Sequence, residues 1–192
     1  MTLIIFSGIV ILFLLLLMAS INYEFRSCIK IKVNAPVEAA FKLAFDDKVM
    51  KQWLSSPQLD FVGLENIRGF KNEVGSQWKM VFSSKKGNRL EMLETITAFE
   101  DNKKMYFELA DPFFKFHVKM DFDESNGKTT ITEELKGKSA NHFFNAMMRI
   151  FGRKSIKTKR EQYKKLKDII EETYNSKSRS EIEVNITDEA IK

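Results

Sequence analysis

Residues 114–122 read FKFHVKMDF, and this stretch alternates between apolar and polar side chains at every position. Successive side chains of a β-strand point to opposite faces, so the alternation predicts a strand with one buried face. The inward face would carry the phenylalanines with Val118 and Met120, whereas His117 and the lysines would face solvent. Such a strand is typical of an antiparallel sheet that covers a core on one side.

The same alternation recurs through the region from Leu59 to Lys138. Residues of matching parity in two further runs are Trp78, Met80, Phe82, Met105, Phe107 and Leu109. Turn signals separate the runs at Gly69, at 86–88, at 101–102 and at 126–127. The pattern predicts an antiparallel meander, and an earlier alternating run from 23 to 33 predicts one more strand.

Helical patterns lie before and after the meander. Pro36, followed by Glu38, is typical of a first helical turn, and a second short helical stretch would end before Pro57. From about Asn141 to Tyr174 the chain lacks proline and repeats apolar residues at helical spacing. We therefore expect one long helix over this region, with a bend at Gly152.

The first residues differ from the rest of the chain. From Leu3 to Ile21 no side chain is charged, and a helix of this length would reach about 28 Å, close to the thickness of a bilayer core. The sequence lacks the basic start and the cleavage site of a signal peptide, so we expect an uncleaved transmembrane anchor. The predicted division is an anchor over 1–22, a domain over 23–174 and a loose polar tail over 175–192.

Charge and cysteine content indicate the protein's location, its disulfides and its partners. Arg26, Lys30 and Lys32 follow the apolar leader and no basic residue precedes it, which predicts a cell-membrane protein with its domain in the cytoplasm. Cys28 is the only cysteine, so an internal disulfide is excluded. The net charge of +5 is modest, and we expect no nucleic-acid partner.

Several short motifs together resemble the START-like, or SRPBCC, superfamily, which includes polyketide cyclases and plant pollen-allergen proteins. The likeness covers residues 25–174, and no single motif is specific. The matching residues are Val33-x-Ala35-Pro36-x-Glu38-x-x-Phe41, Asp46-Asp47, Trp53, Gly75-Ser76-x-Trp78, Glu94-x-Ile96 and Glu161-Gln162-Tyr163-x-x-Leu166-Lys167.

This resemblance implies an α+β helix-grip fold, in which a curved seven-stranded antiparallel sheet wraps a long C-terminal helix. The predicted transmembrane helix would precede it. The resemblance also implies an apolar cavity between sheet and helix, although members of the superfamily differ widely in function.

The leading interpretation is a membrane-tethered module that binds a hydrophobic small molecule, lipid-like or isoprenoid-like, in that cavity. We predict that its walls are formed by Trp78, Met80, Phe107, Phe116, Val118, Phe144, Met147, Met148 and Phe151. One alternative is an enzyme of the cyclase or dehydratase type, and another is a protein-interaction module whose core is filled and holds no ligand.

Few residues suggest catalysis. Neither His117 nor His142 belongs to a metal-binding pattern, and no nucleophile motif or phosphate loop is present, so neither a metal nor a cofactor is expected. Weak candidates for an acid or base are Glu94 and Tyr106, and Tyr163 is a possible hydrogen-bond donor to a ligand.

Glu91 and Glu94 lie on opposite faces of one strand, so only one of them can point into the cavity. For that inward residue, pairing with Arg68 or Arg89 is the favoured interpretation.

Basic side chains crowd the predicted long helix. They are Arg149, Arg153, Lys154, Lys157, Lys159, Arg160, Lys164, Lys165 and Lys167. Such a run is usually a solvated face. In a chain tethered to a bilayer, however, it is also suited to contact with anionic lipid.

Overall fold

The computed structural model describes residues 23–189, together with Phe6, Gly8 and Met18, and it describes side chains as far as Ser176. The predicted anchor over 1–22 lies outside the described residues except for those three positions. Within the described part of the chain, no helix is both long and apolar enough to cross a membrane.

Seven strands and three helices make up the described domain. Strand β1 comes first, helices α1 and α2 follow, six strands come next and helix α3 is last. Their bounds are β1 Phe25–Val33, α1 Val37–Ala44, α2 Asp47–Trp53, β2 Leu59–Arg68, β3 Gln77–Ser84, β4 Arg89–Glu100, β5 Lys104–Ala110, β6 Phe114–Ser125, β7 Lys128–Ser139 and α3 His142–Glu189. The meander predicted between Leu59 and Lys138 is therefore present.

The strands form one antiparallel sheet in the order β1-β7-β6-β5-β4-β3-β2. Strands β2 to β6 each pair with the next strand in sequence, and β1 forms the other edge by pairing with β7. One face of the sheet is covered by α3 and the two short helices. This arrangement is the predicted helix-grip fold, in which a curved sheet encloses a long helix.

The short helices begin where local chemistry favours it. Pro36 precedes α1, and its carbonyl accepts from the Ala40 amide at 3.0 Å. The carboxylate of Asp46 caps α2 by accepting from the backbone amides of Lys48 and Val49, at 2.9 and 3.1 Å. Such a cap satisfies amides that have no partner within the helix, so the chain can turn from α1 directly into α2.

Helix α3 packs into the core through Tyr163, Leu166 and Ile170, each at most 1% exposed. The structure gives one continuous helix through Gly152, where the ring of Phe25 lies so close that an added Cβ would come within 2.8 Å. The helix also continues to Glu189, whereas the sequence predicts a loose tail after Tyr174. Residues 175–189 contain neither proline nor glycine, so nothing in them interrupts helical geometry.

Candidate functional site

A cavity of about 300 Å³ lies between the inner face of the sheet and helices α2 and α3. Most of its walls are apolar side chains from β2 to β7 and from the α2 region. These residues are Phe45, Met50, Trp53, Leu54, Leu64, Trp78, Met80, Phe82, Met92, Ile96, Met105, Phe107, Leu109, Val118, Met120 and Leu135. The polar lining residues are Asp47, Lys71, Asn72, Glu94, Glu133, Lys159 and Gln162.

Strand alternation explains why these residues share a wall. On β3, β4 and β5 every second side chain points inward. The register of the strands places the inward side chains of one strand next to those of its neighbour. Trp78 is paired with Glu94, which in turn is paired with Leu109. Methionine and aromatic side chains dominate this surface, and methionine adapts readily to irregular shapes.

Trp53 forms the helical side of the cavity. Its indole Nε1 donates to the carbonyl oxygen of Ala44 at 3.3 Å, and its ring lies 5.4 Å from that of Tyr163. Trp53 is only 5% exposed. The hydrogen bond and the ring contact hold its buried indole in one orientation. Trp53 and Trp78 are the two tryptophans of the chain, and both line the cavity.

Glu94 is the unusual member of the wall. Its side chain comes from the middle of β4 and faces the cavity, and the residue is only 4% exposed. No described residue hydrogen-bonds to its carboxyl group or forms an ion pair with it. Burial removes water from the charged form and raises the pKa of Glu94 from 4.5 to about 7. This carboxyl group can therefore change its charge near neutral pH.

The favoured pairing of the inward glutamate with Arg68 or Arg89 was wrong. Arg68 is exposed at the end of β2 and does not line the cavity. Arg89 lies on the outer face, where it pairs with Glu65 at 2.6 Å and with Glu91 at 2.7 Å. Glu91 also contacts Lys79. The outward glutamate therefore has the basic partners, and the inward one has none among the described residues.

Glu133 is a second buried carboxylate on the wall, and it is fully paired. The hydroxyl of Tyr163 donates to its Oε2 at 2.8 Å, and the ammonium of Lys159 binds its Oε1. Burial and the charge of Glu133 raise the pKa of Tyr163 well above its usual value. Tyr163 thus keeps its proton, and its hydroxyl is directed at Glu133.

A cluster of polar residues lies at one side of the cavity, between α2 and the turn that precedes β3. Lys71 contacts the carboxylate of Asp47 at 3.3 Å and the carbonyl oxygen of Phe45 at 3.4 Å. Asn72 follows with a positive φ of 68°, which its short side chain tolerates. Phe45, Lys71 and Asn72 also border a second, more polar pocket beside α1.

The structure brings together only part of the predicted ligand set. Trp78, Met80, Phe107 and Val118 line the cavity, whereas Phe116, Phe144, Met147, Met148 and Phe151 do not. The helix contributes Lys159 and Gln162 instead, because the cavity lies along a later part of α3 than its first turns. Whether the four lining residues bind a ligand stays a prediction.

The five remaining residues have other positions. Phe116 fills space that a side chain at Gly137 would occupy, and Phe144 packs its ring against Phe113 and Phe114. Met148 is half-buried against the main core. Met147 and Phe151 are 37% and 51% exposed on the outer side of α3.

Tyr106 lies on the outer face of β5, so its assignment as a cavity acid or base was wrong. Its hydroxyl donates to Asp121 at 2.6 Å, and this bond, with some desolvation, raises the pKa of Tyr106 to about 12. His117 is also outside, with Nδ1 at 3.1 Å from Glu108. Within the residues that the structure describes, no group of His, Cys, Asp or Glu could hold a metal ion.

Sequence reasoning missed Glu133 and Lys159 as cavity residues. The position of Glu133 in the alternating pattern could have indicated its burial, since it lies on the inward face of β7 with Ile131 and Leu135. An acidic residue between two buried apolar ones requires a partner. Lys159 had no such signal, because it stands within a run of basic residues that otherwise face solvent.

The fold and the cavity define a START-like helix-grip domain, the architecture of a ligand-binding domain. Residues 34–171 match the family described as Activator of Hsp90 ATPase homolog 1-like protein, and the chain belongs to this family. A comparison with curated protein sequences finds no match.

Solved structures support the same fold. A protein from Nitrosomonas europaea is 10% identical, with a TM-score of 0.62, and the alignment covers 78% of this chain and 96% of the other. One from Arthrobacter aurescens is 15% identical, with a TM-score of 0.62 and coverage of 77% and 87%. One from Thermus thermophilus is 18% identical, with a TM-score of 0.57 and coverage of 77% and 96%. At these identities the likeness concerns the fold alone.

Proposed function

We propose that this domain binds a hydrophobic small molecule in the cavity between its sheet and helices α2 and α3. The observation that carries the proposal is the cavity itself, about 300 Å³ of space with mainly apolar walls. This volume is at the lower end of the range for small-molecule sites. A protein-interaction module with a filled core would not contain such a space.

The apolar walls favour a ligand whose body is hydrocarbon, because burying that surface provides most of the binding free energy. Methionines on β3, β4, β5 and β6 can adapt to ligands of different shape. A lipid-like or isoprenoid-like molecule has such a hydrocarbon body, and the methionines can adapt to its shape.

Quenching of tryptophan fluorescence by bromooctane tests this proposal. Both tryptophans line the cavity, so a bromine atom that enters it should quench them at contact. Val118→Phe adds a ring to the inner wall and should reduce quenching strongly. Leu93→Phe is the matched control, because Leu93 is 37% exposed on the outer face of β4.

Equal quenching in Val118→Phe and the wild type would contradict binding at this site. The stability of Val118→Phe provides a second measurement. Overfilling a packed core costs about 1–3 kcal/mol, whereas adding a ring to open space costs less. Lost quenching with a small change in unfolding free energy is therefore the expected combination.

An enzymatic role is the second candidate. It is favoured by one observation, that the buried carboxyl of Glu94 and the paired Glu133 and Lys159 line the same cavity. A cyclase or dehydratase needs two such polar groups near its substrate. If Glu94→Gln keeps binding but loses turnover of a carbonyl substrate, the enzymatic role gains support.

Membrane tethering belongs to the same proposal, with residues 3–21 as the span and the domain in the cytoplasm. The chain enters the domain beside α3, where the ring of Tyr23 lies 5.9 Å from the guanidinium of Arg149. The outer face of α3 carries Phe143, Ile150 and Phe151, each about half exposed. Exposed basic side chains follow at 153–165.

An apolar patch next to basic groups suits the interface of an anionic bilayer. Deleting residues 1–22 should release the protein from membranes in a high-salt wash, and the full chain should stay bound. Release of the full chain by salt would contradict a spanning anchor. Protease added outside intact cells or spheroplasts should leave the domain whole, and digestion there would reverse the orientation.

A further inference from the structure

The position of Glu94 suggests which polar group the ligand carries. Glu94 and Glu133 are both buried glutamates on the inner wall, 4% and 3% exposed. Glu133 has two partners, the hydroxyl of Tyr163 and the ammonium of Lys159. Glu94 has none among the residues that the structure describes, although buried carboxylates are nearly always paired.

The described residues around Glu94 provide no charged partner for its carboxyl group. Its neighbours across the sheet are Trp78 on β3 and Leu109 on β5, and neither side chain carries a charge. Arg89 is held on the outer face by Glu65 and Glu91. A partner for Glu94 can therefore come only from inside the cavity.

The charges of the cavity lining decide which kind of group fits. Five charged residues line it, and four of them form two pairs, Asp47 with Lys71 and Glu133 with Lys159. Glu94 alone is left over. The unbalanced charge inside the cavity is thus negative once Glu94 has lost its proton.

We propose that Glu94 is the polar contact of the ligand, and that the cavity selects an apolar molecule bearing a protonated amine. This inference rests on the proposed binding function and adds the chemical class of the ligand. The ammonium group donates to the carboxylate of Glu94, and the aromatic ring of Trp78, its neighbour on β3, is a further group that favours a cation. A carboxylate at the same place is repelled by ionised Glu94 and finds no unpaired lysine, since both lining lysines already have a carboxylate partner.

The test compares three ligands with the same apolar body: bromodecylamine, bromodecanol and bromodecanoate. The full-length chain is titrated in one detergent, and quenching of the two tryptophans reports entry into the cavity. The variant is Glu94→Gln, which keeps the shape and removes the charge. Glu91→Gln is the control, on the same strand but facing outward.

We expect the wild type and Glu91→Gln to bind the amine most tightly and the carboxylate most weakly. In Glu94→Gln the affinity for the amine should fall by roughly ten- to a hundredfold, the usual effect of losing a hydrogen bond to a charged group. Affinity for the alcohol should change little. Circular dichroism of each variant establishes that the fold is kept.

A pH series adds an independent readout. Amine binding should strengthen from about pH 6 to about pH 8 as Glu94 ionises, and this trend should vanish in Glu94→Gln. The other charged groups facing the cavity, Asp47, Lys71, Glu133 and Lys159, are shared by both proteins.

Two results would overturn the inference in different ways. If the alcohol or the carboxylate binds the wild type as tightly as the amine, the cavity binds ligands but Glu94 does not select amines. If none of the three ligands quenches tryptophan, the proposed binding function itself fails.

Discussion

Replacing Glu94 by glutamine should change how the stability of the domain depends on pH. In the wild type the folded state raises the pKa of this carboxyl group from 4.5 to about 7, because the cavity wall excludes water from it. Between these two values the folded protein holds a proton that the unfolded chain has lost. The unfolding free energy therefore falls as the pH rises through this window.

The magnitude follows from the size of the pKa change. Each pKa unit corresponds to about 1.4 kcal/mol, so raising the pKa of Glu94 from 4.5 to about 7 corresponds to about 3 kcal/mol. The wild type loses that amount from this one group by about pH 8, and the contribution of Glu94 is fully present below about pH 4.5. Glutamine does not titrate, so Glu94→Gln is free of the loss.

The assay is urea unfolding of the wild type and Glu94→Gln across this pH range, followed by tryptophan fluorescence. The unfolding free energy of the variant minus that of the wild type should rise by about 3 kcal/mol from acid to alkaline pH. For a domain of this size that corresponds to a relative gain of about 6–12 °C in melting temperature at the alkaline end.

Glu91→Gln is the control for this prediction. Glu91 is exposed on the opposite face of β4 and pairs with Lys79 and Arg89, so its loss should cost less than about 1 kcal/mol. Its stability profile should run parallel to that of the wild type. If the difference for Glu94→Gln were equally flat, Glu94 would be hydrated or paired, and the account of the cavity wall would be refuted.

Two further predictions concern the pairs and packing around the site. Lys159→Met should leave Glu133 with only one partner and destabilise the domain. The loss should be at most about 3 kcal/mol, because Lys159 is partly exposed. An unchanged urea midpoint would show that the ion pair contributes nothing to stability. Gly137→Ala should cost about 1–3 kcal/mol, because the new Cβ would lie 2.0 Å from the ring of Phe116. Adding Phe116→Leu should recover part of that loss in thermal unfolding, and a larger loss in the double variant would contradict the steric explanation.

Alternation and turn residues carried enough information to predict the sheet. The run at 114–122 forms the first part of β6, and the predicted turn residues lie between consecutive strands. Three asparagines at turns, Asn72, Asn102 and Asn126, adopt the positive φ that their short side chains allow. These are local properties, so the sequence states them directly.

The helical side of the cavity could not be predicted in the same way. Apolar spacing shows which side of a helix is buried, but it does not show which turn lies over the cavity. Phe144 and Phe151 fit the helical pattern, yet the turn that borders the cavity carries Lys159 and Gln162. Only the position of the helix along the sheet decides this.

The lack of a partner for Glu94 was not predicted, for a different reason. A buried glutamate is expected to pair with a nearby arginine, and Arg68 and Arg89 were the two candidates; the flaw is clearest for Arg89. Arg89 and Glu91 share a parity that Glu94 does not, so alternation already excluded that pair.

Methyl resonances of labelled methionines give the most direct test of the central claim, that the cavity binds an apolar ligand. Met80, Met92 and Met105 line the cavity, whereas Met147 lies on the outer side of α3. On addition of bromodecylamine, the resonances of Met80, Met92 and Met105 should shift and show through-space contacts to the ligand chain, while that of Met147 should not move. Shifts at Met147 with unchanged cavity resonances would place the ligand on the outer face of the helix and contradict the account.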